Sequence, residues 1–172
     1  MTLETELVQT HVGKVQVHRG GSGRPVVYLH SATGEGVGLP YVDSLAERYE
    51  VIAPMFPGYG ESEGIDDIDD MEDVTFHLLD LFDVLGLTAP VVSGTSLGGW
   101  MALELATRYP EKVSKLVLVN PVGLHFDEAP INELFGRTPG ELADMLFADQ
   151  NHPLAAALHQ MDAFAGDVGK ET

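Results

Sequence analysis

Ser96 has the clearest chemical setting of any side chain in the sequence. It is the centre of Gly94-Thr95-Ser96-Leu97-Gly98, between an apolar run at 91–93 and an amphipathic stretch at 97–108. A chain passing from strand to helix in so few residues must turn sharply, and side chains two positions either side of the serine would collide. Gly94 and Gly98 remove those side chains, and Gly99 lets the helix approach the sheet. The serine is then held in a strained backbone conformation with its Oγ raised above the sheet edge. It also sits at a helix N-terminus, where free N–H groups favour developing negative charge. This is the setting of a nucleophile in acyl transfer. The bland alternative, a Gly-rich turn with an incidental serine, is disfavoured by the strand before it and the helix after it.

A second segment, His30-Ser31-Ala32-Thr33-Gly34-Glu35-Gly36, directly follows the run Val26-Val27-Tyr28-Leu29. A loop of small residues at the carboxyl end of a central strand brings backbone N–H groups close to a ligand. Beside the serine turn, this loop is the expected source of a second oxyanion donor. His30, Ser31 and Thr33 are assigned to the lining of a substrate pocket, and His30 is also expected to anchor the loop. A third segment, Pro57-Gly58-Tyr59-Gly60-Glu61-Ser62, is by itself only a turn.

The elements that must position these residues are legible from periodicity. Runs at 26–29, 51–53, 91–92 and 116–119 are apolar without alternation, as in strands covered on both faces. Helical patterns fill the gaps. Val42, Leu45 and Ala46 share a side within 41–48; Val74, Leu78, Leu81 and Leu85 form a stripe within 71–85; Leu97, Met101 and Leu105 do so within 97–108. The alternation predicts an α/β fold, a mostly parallel sheet with helices on both faces and right-handed crossovers. Upstream, Leu7-Val8, Val12, Val15 and Val17 read as short strands closed by Gly20-Gly21-Ser22-Gly23. The acidic run Asp66-Asp67-Ile68-Asp69-Asp70 reads as a solvated loop.

After Asn120-Pro121 the pattern changes, dividing the chain into a core at 1–120 and a helical segment at 121–172. Residues 121–137 are irregular. Thr138-Pro139-Gly140-Glu141 has the form of a capping box and opens one short helix. A second is predicted from about Pro153 to Phe164, ended by Gly166 and Gly169, with Leu154, Leu158 and Met161 on one face and a frayed tail to Thr172.

Composition narrows the function classes. The 172 residues are 44% apolar and 21% charged, enough for one globular domain and incompatible with disorder throughout. There is no cysteine, which removes disulfides, thiolate catalysis and Cys-ligated metals. Nine Lys and Arg against 27 Asp and Glu give a net charge of −18, which disfavours nucleic acid and anionic membranes as partners. No apolar run reaches the roughly 18 residues of a membrane span, and the first residues do not resemble a secretory signal. A soluble, cytoplasmic protein is expected. No His, Asp and Glu set has ligand spacing and no G-x-G-x-x-G is present, so neither a metal nor an organic cofactor is expected.

Taken as a set, these segments resemble the α/β-hydrolase fold family. The apolar strand ending in His30, the turn Pro57-Gly58-Tyr59-Gly60-Glu61-Ser62, the elbow Gly94-Thr95-Ser96-Leu97-Gly98-Gly99, and Tyr109-Pro110-Glu111-Lys112-Val113 leading to Asn120-Pro121 carry the likeness, over about residues 1–125. The resemblance implies that Ser96 is the nucleophile and that the Leu97 N–H is one oxyanion donor. The other is then Ala32, two residues past the family's His. Residues 121–172 resemble the start of the helical cap that many members insert over the active site. One position departs from the pattern: Ser31 stands where the family usually has Gly directly after the His.

A serine hydroxyl needs a base, itself oriented by a carboxylate. The family draws its acid and then its His from loops after two further strands, and no strand-like run follows residue 119. Among the seven histidines, none is placed by the pattern as the base, and Asn120 stands at a strand end where some members carry the acid. The acid and His are therefore expected from a missing C-terminal segment or a second chain. The function implied is a serine hydrolase acting on an ester, lactone, thioester or activated carbon–carbon bond of a small-molecule substrate through an acyl–Ser96 intermediate. The contrasting function is a hydrolase-derived, non-catalytic ligand-binding protein, and the downstream sequence discriminates the two.

Overall fold

In the computed structural model, which describes residues 3–36, 38–128, 130 and 136–168, the apolar runs become strands of one six-stranded sheet. The strands are β1 (Glu4–Gln9), β2 (Lys14–Gly21), β3 (Pro25–Leu29), β4 (Glu50–Pro54), β5 (Val91–Thr95) and β6 (Lys115–Val119). Their spatial order is β1-β2-β4-β3-β5-β6. The pairs β1–β2 and β2–β4 are antiparallel, and β3–β4, β3–β5 and β5–β6 are parallel. Helices α1 (Pro40–Leu45), α2 (Met71–Val84) and α3 (Leu97–Arg108) make the crossovers. The fold is α/β with a mostly parallel sheet, as the alternation of runs predicts.

The apolar runs lack alternation because both faces of the sheet are filled. Val27, Leu29, Ile52 and Val92 pack with Leu78, Leu81 and Phe82 of α2 and Met101 and Leu105 of α3. Their neighbours Tyr28, Val51 and Ala53 point the other way and pack with Val42 and Ala46, at α1 and its C-terminal end. β6 departs from this. Leu116 and Leu118 pack against the first cluster, while Val117 and Val119 on the opposite face remain 47% and 43% exposed. Among the described residues no further strand pairs with β6.

The acidic run is more structured than a solvated loop. Ile65–Asp67 form a 3-10 turn. Asp70 is the N-cap of α2: its carboxylate accepts from the N–H groups of Glu72 and Asp73, and the Asp73 carboxylate accepts from the Asp70 N–H.

The chain forms two compact units, Met1–Leu124 and His125–Thr172. In the second, α4 (Pro139–Leu146) begins with the capping box of Thr138 and Glu141, and Ala143 of α4 and Ala155 of α5 (Pro153–Val168) are fully buried. α5 runs through Gly166, where the sequence predicts its end. A mid-helix glycine costs only about 1 kcal/mol, too little to stop a helix. Gly169 and the tail to Thr172 lie outside the described residues.

Three histidines of the first unit are held neutral by burial. His18 and His30 are both pushed below the ordinary imidazole value, mainly by desolvation. His77 on α2 is 4% exposed and neither ring nitrogen has a partner; burial lowers its pKa, with Asp80 opposing. The sequence places His77 on the flank of this helix but gives no sign that its ring is orphaned. His11, exposed and paired with Asp80, is shifted the other way.

An unfolded histidine takes up its proton near pH 6.5, while the buried rings refuse it until lower pH. The sign is fixed: the unfolded state binds more protons below that value, so stability falls as the pH drops through and below about 6.5. His77→Leu removes two unpartnered nitrogens and should stabilise the fold by about 1 kcal/mol at pH 7.5. It should also reduce the loss between pH 7.5 and 5.5. Urea unfolding of both proteins at the two pH values checks this, and an unstabilised variant with an unchanged pH slope would refute it.

Candidate active site

The site is created by topology before any side chain is considered. β3 lies between β4 and β5, so the chain leaves β3 towards one side and later returns on the other. Loops at the carboxyl ends of such a pair diverge and open a crevice. Leu29 of β3 is in register with Gly94 of β5, which sets His30–Gly36 beside Thr95-Ser96-Leu97.

Ser96 occupies the turn between β5 and α3 with φ 51° and ψ −112°. For a residue with a Cβ, this left-handed backbone costs about 1–3 kcal/mol and persists only where its surroundings enforce it. Three backbone hydrogen bonds do so. The Ser96 N–H donates to the Val119 carbonyl at the end of β6, at 3.0 Å. The Ser96 carbonyl accepts from the N–H groups of Trp100, at 3.1 Å, and Val122, at 3.2 Å. The hydroxyl takes no part: Ser96 is the N-cap residue of α3 but its side chain makes no cap bond. Oγ is left half-buried and uncommitted.

The glycines around the serine are steric requirements. A Cβ on Gly94 would lie 2.2 Å from the Gly98 carbonyl oxygen, and one on Gly98 would lie 2.2 Å from that of Leu29. A Cβ on Gly99 would meet Pro121 at 2.8 Å, just beyond β6. α3 therefore begins in direct backbone contact with the ends of both β3 and β5.

The loop after β3 is built around His30. Its ring is fully buried, against Phe56 and Tyr59. Nε2 accepts from the Phe56 N–H at 3.1 Å, and Nδ1 donates to the Ser31 carbonyl at 2.6 Å. With both nitrogens used and desolvation dominating, the ring is neutral and protonated on Nδ1. It does not line an open pocket, as its assignment from sequence had it. A fully buried ring has no surface to offer a substrate, and its place is beneath the loop. Ser31 is half-buried, and Ala32 and Thr33 are exposed.

Two backbone N–H groups flank the serine turn without a protein acceptor among the described residues, those of Ala32 and Leu97. They are the pair named from sequence. Glu35 is the residue of this region that sequence analysis does not single out. Its carboxylate accepts from the Ser31 N–H at 2.8 Å, the Ser31 hydroxyl at 2.6 Å and the Thr33 hydroxyl. Burial alone would raise its pKa, but the Ser31 and Thr33 hydroxyls and the Ser31 N–H outweigh that and hold it at about 2. The signal available in the sequence was only a carboxylate within a loop of small polar residues.

No histidine or carboxylate among the described residues of the first unit hydrogen-bonds the Ser96 hydroxyl. His11 is on Asp80, His18 bonds Thr5 and Gln16, and His30 and His77 are buried as above. In the second unit, His125 faces Asp127 in solvent, His152 stacks on Phe147, and His159 bonds Gln150. Asn120 follows β6 with φ 44°. Among the described residues no cluster of three or more His, Asp or Glu side chains is arranged to hold a metal ion, and no helix is long and apolar enough to cross a membrane.

A family model described as alpha/beta hydrolase fold matches residues 24–166. A 2-hydroxymuconate semialdehyde hydrolase of Pseudomonas sp. (strain CF600) is 32% identical over 155 residues, which is 80% of this chain and 53% of the relative. A 2-hydroxy-6-oxo-6-phenylhexa-2,4-dienoate hydrolase of Burkholderia cepacia is 30% identical over 158 residues, 86% of this chain and 52% of the relative. Among solved structures, a meta-cleavage product hydrolase of Pseudomonas fluorescens IP01 matches with a TM-score of 0.62 at 26% identity, over 71% of this chain and 47% of that one. Naproxen esterase of Bacillus subtilis matches in fold, with a TM-score of 0.71 at 22% identity over 92% of this chain and 60% of that one. The chain spans about half the length of the curated relatives it matches.

The elbow glycines give a direct test of this geometry. Gly98→Ala forces a methyl group onto two backbone carbonyls and should destabilise the fold by about 3 kcal/mol or more. Gly86→Ala is the control: its φ is +67° with nothing within 4 Å, so only the backbone cost of about 1–2 kcal/mol applies. Equal losses for the two in thermal or urea unfolding would show that α3 does not begin against β3.

Proposed function

The chain belongs to the α/β-hydrolase fold family, and from that premise we propose that it supplies the nucleophile and oxyanion hole of a serine hydrolase. One observation carries the proposal. An uncommitted hydroxyl is held at φ 51° beside two N–H groups that have no acceptor among the described residues.

The chemistry follows from what each group can do. Ser96 Oγ adds to a substrate carbonyl carbon as its proton passes to a base. The carbonyl oxygen becomes an oxyanion and is received by the Ala32 and Leu97 N–H groups at the positive end of α3. Collapse restores the C=O bond, breaks the bond to the leaving group and leaves an acyl–Ser96 ester, while the proton passes to the leaving group. Water then adds to the ester by the same route, releasing a carboxylic acid and the free serine. The base and its orienting acid are assigned to residues outside this chain: among the described residues of the first unit, His11, His18 and His30 are engaged with other partners and His77 is enclosed. Ser31, half-buried, and Thr33, exposed, line the substrate pocket.

The preferred substrate is a small molecule with an activated carbon–carbon bond. A carbon leaving group departs only if its electron pair is delocalised, as it is once a 2-hydroxydienoate has shifted to its 2-oxo tautomer, so that the carbon bonded to the 6-oxo carbon is sp3 and leaves as a conjugated dienolate. The names of the similar hydrolases describe 2-hydroxy-6-oxo-dienoates of this kind. Esters, lactones and thioesters pass through the same tetrahedral step and are weaker substrates.

Labelling with a fluorophosphonate probe tests the nucleophile: the native polypeptide containing residues 1–172 should be labelled and its Ser96→Ala variant should not. Equal labelling removes Ser96 from the mechanism. The 172-residue chain alone should turn over a 2-hydroxy-6-oxo-dienoate at least about 10³-fold more slowly than the native polypeptide, because loss of a triad member costs orders of magnitude. Full steady-state turnover by the 172-residue chain would show that the base lies within it.

A further inference from the structure

We propose that Glu35 is a positioning residue that fixes the oxyanion donor of Ala32 by folding the loop His30–Gly36 around its carboxylate. The inference rests on the serine-hydrolase reading and extends it to a residue outside the nucleophile, the donors and the base.

One peptide plane sets the direction of the donor. The Ser31 carbonyl and the Ala32 N–H belong to the same trans peptide and point in opposite directions. The Ser31 carbonyl is turned inward, accepting from His30 Nδ1 and from the Gly34 N–H at 3.1 Å. The Ala32 N–H must therefore point outward, away from the His30 ring. Ala32 has only a methyl group, and the next plane is held by Tyr59, whose hydroxyl donates to the Ala32 carbonyl at 3.0 Å. A donor aimed in this way is useful only if the plane does not rock.

Glu35 stops it from rocking on the open side. Oε1 accepts the Ser31 N–H, and Oε2 accepts both the Ser31 and Thr33 hydroxyls, so one carboxylate ties the residues immediately before and after Ala32. The Thr33 N–H closes the circuit by donating to Ser31 Oγ at 3.2 Å. Behind the carboxylate, the Tyr28 hydroxyl lies 3.3 Å from Oε1 and 3.4 Å from Thr95 Oγ1, and it also accepts from Tyr41. Through Tyr28 the anchor reaches Thr95, the residue before the nucleophile. Ser31 has a further use here: a glycine at its position would lack the hydroxyl that bonds both Glu35 and Thr33. With its pKa held low by these donors, the carboxylate stays ionised across the working range of a hydrolase.

The test uses phosphonylation kinetics on the native polypeptide, with Glu35→Gln and Glu35→Ala. Glu35→Ala should lower the maximal labelling rate of Ser96 by about tenfold or more while the probe's binding constant stays within about twofold, because the aimed donor acts on the charge that rises on the phosphoryl oxygen in the pentacoordinate transition state. Glu35→Gln, which keeps the shape and loses one acceptor oxygen, should fall between. Folded variants that label at the wild-type rate overturn the proposal. Should Glu35→Ala not fold, Thr33→Val removes one donor and should still slow labelling about two- to fivefold; no change overturns it equally. The Ala32 amide resonance gives a readout independent of Ser96 chemistry. It should shift and broaden in Glu35→Gln, and an unmoved resonance overturns the assignment. A wild-type protein that fails to label at all removes the serine-hydrolase reading, leaving the amide result to decide the role of Glu35.

Discussion

The structure depends on backbone meeting backbone where α3 starts. Gly98 lies against the carbonyls of Leu29 and His30, Gly94 against that of Gly98, and Gly99 against Pro121. These contacts bring the ends of β3, β5 and β6 to one point. There Ser96 is bonded through its N–H to Val119 and through its carbonyl to Val122. The two bonds to the β6 end resemble an extra rung of the sheet. They offset the cost of the left-handed backbone at Ser96, and they do so with groups that any sequence carries. Side chains are spared for other work, and the serine hydroxyl is among those spared.

The loop His30–Gly36 after β3 solves the same problem differently. It has no helix or ladder to lend it rigidity, so its peptide planes are fixed one at a time: by the His30 ring and the Gly34 N–H on the first, by the Tyr59 hydroxyl on the second, and by the Glu35 carboxylate across both. Neutrality of His30 is essential to this, since Nε2 must accept from Phe56 while Nδ1 donates to Ser31. A protonated ring would have two donors, and the Phe56 N–H would lose its acceptor. Burial, which lowers the imidazole pKa, therefore also preserves the hydrogen-bond polarity on which the loop is built.

Much of this was legible in the sequence because it rests on local rules. Unbroken apolar runs announce strands with two covered faces, and Gly94-Thr95-Ser96-Leu97-Gly98 announces a turn that only glycines can make. Ala32 and Leu97 are named from a resemblance, and neither N–H has a protein acceptor among the described residues. What was not legible depends on side-chain direction. Glu35 reads as one more surface acid in a chain of net charge −18, and nothing local says that it turns back on Ser31. His77 sits at a helical position compatible with a polar flank, and its burial is set by elements distant in sequence. The exposed face of β6, with Val117 and Val119 in solvent, breaks the rule that unbroken runs are covered twice, because coverage is a property of neighbours and not of the run.

The separation of these two kinds of support bears on how the chemistry is divided. Among the described residues, the hydrogen bonds that shape the elbow and the loop lie within residues 28–122. Preorganised donors act on the charge that develops in the transition state and are worth about 10²–10³ in rate even singly. Proton transfer is a separate contribution, needing a group of suitable pKa within reach of the hydroxyl. The buried histidines of the first unit are unsuited to it on both counts: their nitrogens are engaged or enclosed, and their affinity for a proton is reduced. What the first unit fixes by hydrogen bonding is the direction of its peptide planes beside Ser96. Proton transfer at neutral pH requires a side chain that can change charge there, and burial of His18, His30 and His77 opposes that.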